Sequence, residues 1–274
     1  MIKVWTIVIL SIFVFVLLTP IYWSIATAFK PPDEIMIYPP TFFPRDTTLI
    51  QFGKLFTAGE GIFVKYIYNT FIMVLITMAI TLPTSFLGGY AFSKLAFKGS
   101  NLLFLLVLSI MMVPFQSLLI PLYNLLNKLN LLDTKLGLSL VYSTFFMPFC
   151  IFIMRTYFSS LPTALRESAV LDGASELKIL FKVYTPLSLP AIATSIVYLF
   201  LETWNDFILS LIFSSSSKAM NAQVGITIFA KTRFTQDWGL INAGCLITMI
   251  PPLLLFLFLQ RYYISGLVSG TLKE

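Results

Sequence analysis

The chain has 274 residues, 58% of them hydrophobic and 11% charged, with a net charge of +6 and a mean hydropathy of +0.89. Soluble domains carry roughly 25% charged residues, so the composition excludes an ordinary water-soluble globule and marks an integral membrane protein. The surplus Lys and Arg suit an anionic membrane face rather than nucleic acid, and the absence of histidine excludes histidine proton relays and histidine metal sites.

Charge-free stretches give the candidate spans in chain order. Residues 4–29 (26 residues), 66–93 (28), 99–127 (29), 136–154 (19), 183–201 (19) and 238–260 (23) lack Asp, Glu, Lys and Arg. A helix crossing about 30 Å of hydrocarbon needs roughly 20 residues, so six membrane helices are predicted. The first stretch, Lys3 followed by apolar residues and "SIATA", also has the look of a secretory signal. Its length argues for a retained helix. Residues 30–65, with "KPPDEI" and "YPPTFFP", read as an extended loop stiffened by proline. Cys150 and Cys245 lie in apolar runs and read as buried thiols.

Six spans place both termini on one side. Lys and Arg divide nine against nine between the two faces, so the positive-inside rule leaves the orientation open. Prolines recur in or beside the spans, among them Pro83, Pro114, Pro148, Pro186 and Pro190. Each removes a backbone donor and tends to kink its helix.

"ESAVLDGASELKILFKVYTPLSLP", residues 167–190, interrupts the oily chain with five charges in sixteen positions. Leu177, Leu180, Phe181 and Tyr184 recur at helical spacing, with Lys178 and Lys182 on another face. "LPTALRESAVLD" before it favours helix, with Pro162 near the start. Gly173 between them offers a positive φ or a close backbone approach. The pattern predicts a short helix, a bend and a second helix entering the membrane. By periodicity alone that arrangement and an ordinary amphipathic loop lying on lipid headgroups fit equally.

Glu202, Asn205 and Asp206 follow the fifth apolar run, and Glu202 and Asp206 share a helix face. Carboxylates at membrane depth cost about 2.5 kcal/mol or more each, so they face a pathway, a partner subunit or the interfacial water. Trp204 beside them suggests an aromatic face for a sugar. A proton- or cation-coupled secondary transporter using Glu202 and Asp206 is the competing reading. No G-x-x-x-x-G-K-[ST] phosphate loop occurs: Gly53-Lys54 has Thr48 where the first glycine belongs. Nor is any nucleophile–base set or metal cluster visible. The chain reads as non-enzymatic.

Glu167, Ala169, Asp172, Gly173 and Ala174, followed by Pro186 and Pro190, resemble the EAA loop of ABC importer permeases; Ser168 stands where alanine is usual. "ETWNDF", "DWGLINAG" and "QRYYISGLVSGTLK" are similar to carbohydrate-importer permeases of the maltose-transporter type, in particular the smaller six-helix subunit. The resemblance implies an all-α integral membrane protein of the type I ABC importer permease fold: a first helix and extracytoplasmic loop (1–65), a permease core (66–264) with a coupling loop at 159–187, and a tail (265–274). It implies a bacterial or archaeal cell (inner) membrane, with the loop and both termini cytoplasmic.

In that family the loop docks on an ATPase, which assigns coupling to Glu167, Ala169, Asp172, Gly173, Ala174, Ser175 and Leu177. In relatives such a tail, here with Ser265, Gly266 and Gly270, can reach the ATPase pair; fraying is the other reading of so small-residue-rich a segment. Glu202, Trp204, Asn205 and Asp206 would line the pathway or the permease interface. The implied partners are a second permease, two ATPases holding ATP and Mg, an extracytoplasmic solute-binding protein and membrane lipid. This chain itself would hold no cofactor.

Overall fold

A computed structural model describes residues 2–95, 97–229 and 237–271, with side chains described over 5–57, 59–95, 97–228 and 237–260. The described residues are helices and connecting turns: α1 (Ile2–Ala28), α2 (Pro32–Ile35), α3 (Ile50–Thr57), α4 (Ile62–Lys94), α5 (Ser100–Ser109), α6 (Phe115–Lys128) and α7 (Lys135–Ser160). They continue with α8 (Ala164–Leu171), α9 (Glu176–Ile179), α10 (Thr185–Leu187), α11 (Leu189–Asn205), α12 (Ile208–Phe213), α13 (Ala222–Phe229) and α14 (Trp238–Thr271). Apolar chain in lipid must satisfy its backbone internally, which helices do.

Among the described residues four helices are long and apolar enough to cross a membrane alone, or up to six if each of two bent pairs is one span. The bent pairs are Ser100–Met112 with Phe115–Lys128, at 95°, and Glu176–Leu187 with Leu189–Asn205, at 77°. Pro114 explains the first break. A residue before proline is pushed out of the α region, and Val113 has φ −77° and ψ 119°. The second break falls at Ser188, between Pro186 and Pro190. The expected fifth span is therefore corrected: residues 183–187 belong to the bent approach, and the straight helix is Leu189–Asn205. The fourth is longer than expected because Arg155 does not end it. Its guanidinium lies 4.0 Å over the Phe104 ring, and its stem stays inside α7.

The chain forms two compact units, residues 1–68 with 221–251 and residues 69–220 with 252–274. In the second, α4 and α7 run side by side in the same direction. Ser139 reaches the Met73 carbonyl, Ser85 the Met147 carbonyl, and Ser93 the Ser159 hydroxyl. The register advances by 20 residues on each helix between the first and last of these contacts. Helix α11 runs against α7, with Phe146 beside Tyr198 and Tyr142 beside Asp206. Two neighbours that run the same way need a return crossing between them, and α5 with α6 is the chain available for it. That argument makes the 95° pair one span.

Each end of this second unit has its own core. At the starts of α4 and α7, Met73, Leu138, Val141 and Tyr142 pack with Leu126, Leu209 and Phe213. Nearby, Asp133 accepts from the N–H groups of Ser215 and Ser216 and from the Ser216 hydroxyl at 2.6 Å. Burial pushes the Asp133 carboxyl up, but the serine donors prevail and hold it below its usual range. At the other end Phe86, Tyr90, Met154 and Phe158 pack with Ile179, Leu180, Tyr184 and Ala191. Close approach there depends on Gly89, where an added Cβ would sit 2.9 Å from the Arg155 backbone nitrogen. Small residues serve this purpose in membrane helices. Cys150 is buried as expected, whereas Cys245 is exposed.

In the first unit, side chains 5–23 of α1 are exposed along its length, as a lipid-facing helix requires. Residues 30–65 are not simply extended, because α2, α3 and the start of α4 fold within them. A buried carboxylate explains the order. Glu34 accepts from the Thr41 hydroxyl and from the Arg45 N–H at 3.1 Å. The Lys30 ammonium donates to the Thr41 carbonyl and lies 4.9 Å over the Trp23 ring. The Thr41 hydroxyl, with help from the Arg45 N–H and nearby cations, outweighs burial and holds the Glu34 carboxyl below its ordinary 4.5.

Two outcomes follow. Gly89→Val should destabilise the second unit by about 1–3 kcal/mol through overpacking against α7, read as a lowered Tm in detergent. Because the folded Glu34 pKa is depressed, its stabilisation is present above the ordinary value and lost as pH falls through the folded one. The Tm advantage of wild type over Glu34→Gln should therefore be full at neutral pH and shrink progressively as the pH is lowered below the ordinary carboxylate range.

Candidate functional site

The charged interruption folds as the sequence predicts in outline. Helix α8 ends at Leu171, and Gly173 turns the chain with φ +73°. The Ala174 N–H donates to the Ala169 carbonyl at 3.0 Å and the Gly173 N–H to the Val170 carbonyl at 2.9 Å. This pair of bonds is a Schellman cap, which requires the left-handed residue that glycine supplies without strain. A Cβ at Gly173 would meet nothing within 4 Å, so backbone conformation, not crowding by its own chain, dictates glycine there.

The expected apolar stripe divides. Leu180 and Tyr184 are buried with Ile179, whereas Leu177 and Phe181 are 63% and 57% exposed. A π-helical turn over Leu180–Tyr184 widens the spacing and moves the stripe off a single face. Ala169 and Ala174 pack toward the core, while Glu167, Asp172, Gly173, Ser175 and Leu177 are exposed. Leu171 and Val170 are also exposed, at 88% and 47%, as are Lys178 and Lys182. Sequence reasoning left Val170 and Leu171 out because they fall at the unspecified positions of the motif, between Ala169 and Asp172.

Three anchors hold this segment to the spans. Tyr184 meets Tyr90 and Phe158 edge-on at 5.3 and 5.8 Å between ring centres, pairs each worth about 0.5–1.5 kcal/mol beyond burial. Lys94 donates to the Leu161 carbonyl at 2.7 Å. The Tyr90 hydroxyl donates to Glu176 Oε2 at 2.7 Å, and Arg166 donates to both Glu176 oxygens. The Arg166–Glu176 pair ties α8 to α9, and Tyr90 ties both to α4. Sequence reading missed this link: Arg166 and Glu176 are ten apart across the glycine, and Tyr90 lies in another span.

The second feature is a cavity of about 750 Å³, wholly within the second unit. Glu202, Asn205 and Asp206 line it with Gln116, Phe146 and Tyr198. Trp204 does not. It is 1% exposed, stacked on Phe200 at 5.1 Å and edge-on to Phe71 at 5.0 Å, so its ring is core and offers no face to a sugar. Tyr198, one helical turn before Glu202, lines the cavity together with Phe115, Phe145, Phe146 and Phe207. Asp206 accepts from the Tyr142 hydroxyl and from the N–H groups of Leu209 and Ser210, which caps α12 after the chain leaves α11. Ser265, Gly266 and Gly270 fall within α14; their side chains lie outside the described residues.

Residues 84–268 match the family described as binding-protein-dependent transport system inner membrane component. A sulfoquinovosyl glycerol transport system permease protein of Agrobacterium fabrum is 30% identical over 256 residues, 93% of this chain and 89% of that one. An arabinooligosaccharides transport system permease protein of Halalkalibacterium halodurans is 33% identical over 261 residues, 94% and 92% of the two chains. A solved bacterial ABC transporter involved in the import of the acidic polysaccharide alginate shares the fold, with TM-score 0.85 and 22% identity over 96% of each chain.

Unequal losses should separate the anchors. Arg166→Ala removes a half-exposed ion pair and should cost under about 1 kcal/mol. Glu176→Ala also strands the buried Tyr90 hydroxyl and should cost about 1–3 kcal/mol. Thermal denaturation of the purified protein ranks the two.

Proposed function

The chain belongs to the family of binding-protein-dependent transport system inner membrane components, and from that premise we propose that it is the permease subunit of an ATP-driven importer for a sugar or sugar-like solute. The solutes named for the relatives support the sugar class. The multi-pass helices support membrane placement, and the partners that such a permease implies in general are an ATPase and a solute-binding protein. The finer assembly is a heterodimer with a second permease, two cytoplasmic ATPases that bind ATP and Mg, and an extracytoplasmic solute-binding protein. The chain is non-catalytic and holds no cofactor of its own. Its termini and residues 159–187 face the cytoplasm of a bacterial or archaeal cell. Residues 66–264 form the core, with 1–65 before it and 265–274, carrying Ser265, Gly266 and Gly270, reaching toward the ATPases.

One observation carries this reading: an exposed helical element is anchored to the span ends by buried aromatic packing. Glu167, Asp172, Gly173, Ser175 and Leu177 present the docking face, and Ala169 and Ala174 seat it on the core. ATPase closure displaces that face. Tyr184, Ile179 and Leu180 pass the displacement to α4, α7 and α11, of which α7 and α11 line the cavity. No observation favours ion-coupled transport through Glu202 and Asp206, since Asp206 is committed to Tyr142 and to the start of α12.

Gly173 separates folding from docking. Asn tolerates the left-handed region, so Gly173→Asn should insert and melt close to wild type. Gly173→Arg should insert yet capture the ATPase about thirtyfold more weakly, the effect of roughly 2 kcal/mol at an interface centre. Solute uptake and binding-protein-stimulated ATP hydrolysis should then be lost. Normal uptake with arginine at this position would end the docking proposal.

A further inference from the structure

The cavity at the C-terminal end of α11 has apolar and amide walls, among them Phe145, Phe146, Gln116 and Asn205. Of its lining residues Glu202 and Asp206 bear charge, both negative, and none is a cation. The two carboxylates differ in their commitments. Asp206 accepts from Tyr142 at 2.7 Å, Ser210 at 2.9 Å and Leu209 at 3.2 Å. Glu202 is exposed into the cavity and accepts no hydrogen bond from any described residue. Asp206 thus serves the fold, while among the described residues no hydrogen bond or ion pair employs Glu202.

A carboxylate at membrane depth is retained against its cost where it serves a path or a partner. In a cleft with apolar walls a charge of one sign concentrates its field on whatever enters. We infer that Glu202 sets the charge class of the cargo: it admits neutral or cationic polyhydroxylated solutes and holds back phosphorylated, sulfonated or uronic-acid ones. This rests on reading the cavity as part of the solute path. It makes Glu202 a specificity-determining residue, acting through its field rather than through a hydrogen bond fixed in advance.

The test needs no knowledge of the solute. A cysteine is placed across the cavity as Gln116→Cys in a Cys245→Ala background, with the buried Cys150 as the unreactive control, in the complete reconstituted transporter. Its thiol is labelled with a neutral, a cationic and an anionic methanethiosulfonate, each rate divided by that for a free thiol. The cationic reagent should outpace the anionic one. Glu202→Gln should cut the ratio about five- to tenfold, the effect of one charge several ångströms away in a largely aqueous cleft, and Glu202→Lys should invert it. A ratio unmoved by Glu202→Gln, with the neutral reagent still reacting, overturns the charge filter and leaves the path standing; a partner cation that neutralises Glu202 would give that result. A thiol closed to the neutral reagent overturns both the path and the filter.

Discussion

The packing of Ile179, Leu180 and Tyr184 against Phe86, Tyr90, Met154 and Phe158 is the contact on which the other features depend. A short helix such as α8, eight residues long, is marginal on its own in water. It keeps a defined place because the segment after it is buried at the ends of two spans. The aromatic rings supply directional contacts, and Gly89 lets α4 and α7 come close enough to form the surface that receives them. Remove that surface and the exposed face around Gly173 loses its fixed attitude toward the membrane, whatever binds it.

The division of work between paired groups recurs along the chain. Glu176 is shared by Arg166, which lies in α8, and Tyr90, which lies in a span. Asp206 is spent on Tyr142 and the start of α12, and Glu202 is left to face the cavity. In both places one carboxylate has its role settled by neighbours distant in sequence. Residue type alone does not distinguish the two acids of "ETWNDF"; their partners do.

Much of the architecture was legible in the sequence because lipid imposes a simple rule, that about 20 apolar residues make a crossing. The spans and the charged interruption follow from counting. The bend at Gly173 was legible too, since a glycine between two amphipathic pieces has few other uses. What counting could not give were properties set by long-range packing. Leu177 and Phe181 share a period with Leu180 and Tyr184, yet a π-helical turn puts the pairs on different faces. Trp204 looks like a sugar platform beside Asn205, yet Phe71, 133 positions earlier, claims its ring. The ordered segment around Glu34 reads as proline-stiffened coil because its organising contact joins a buried acid to a backbone donor eleven residues away.

The right-angle break at Pro114 has a consequence for the surroundings of the molecule. Its two arms hold 13 and 14 residues, each rising only about 20 Å, short of the roughly 30 Å hydrocarbon slab. Neither arm can seal its sector of the bilayer alone, and fatty-acid tails cannot solvate the backbone groups freed at the corner. Pro114 lines the cavity of the second unit, so the groups freed at the corner can meet water there instead of hydrocarbon.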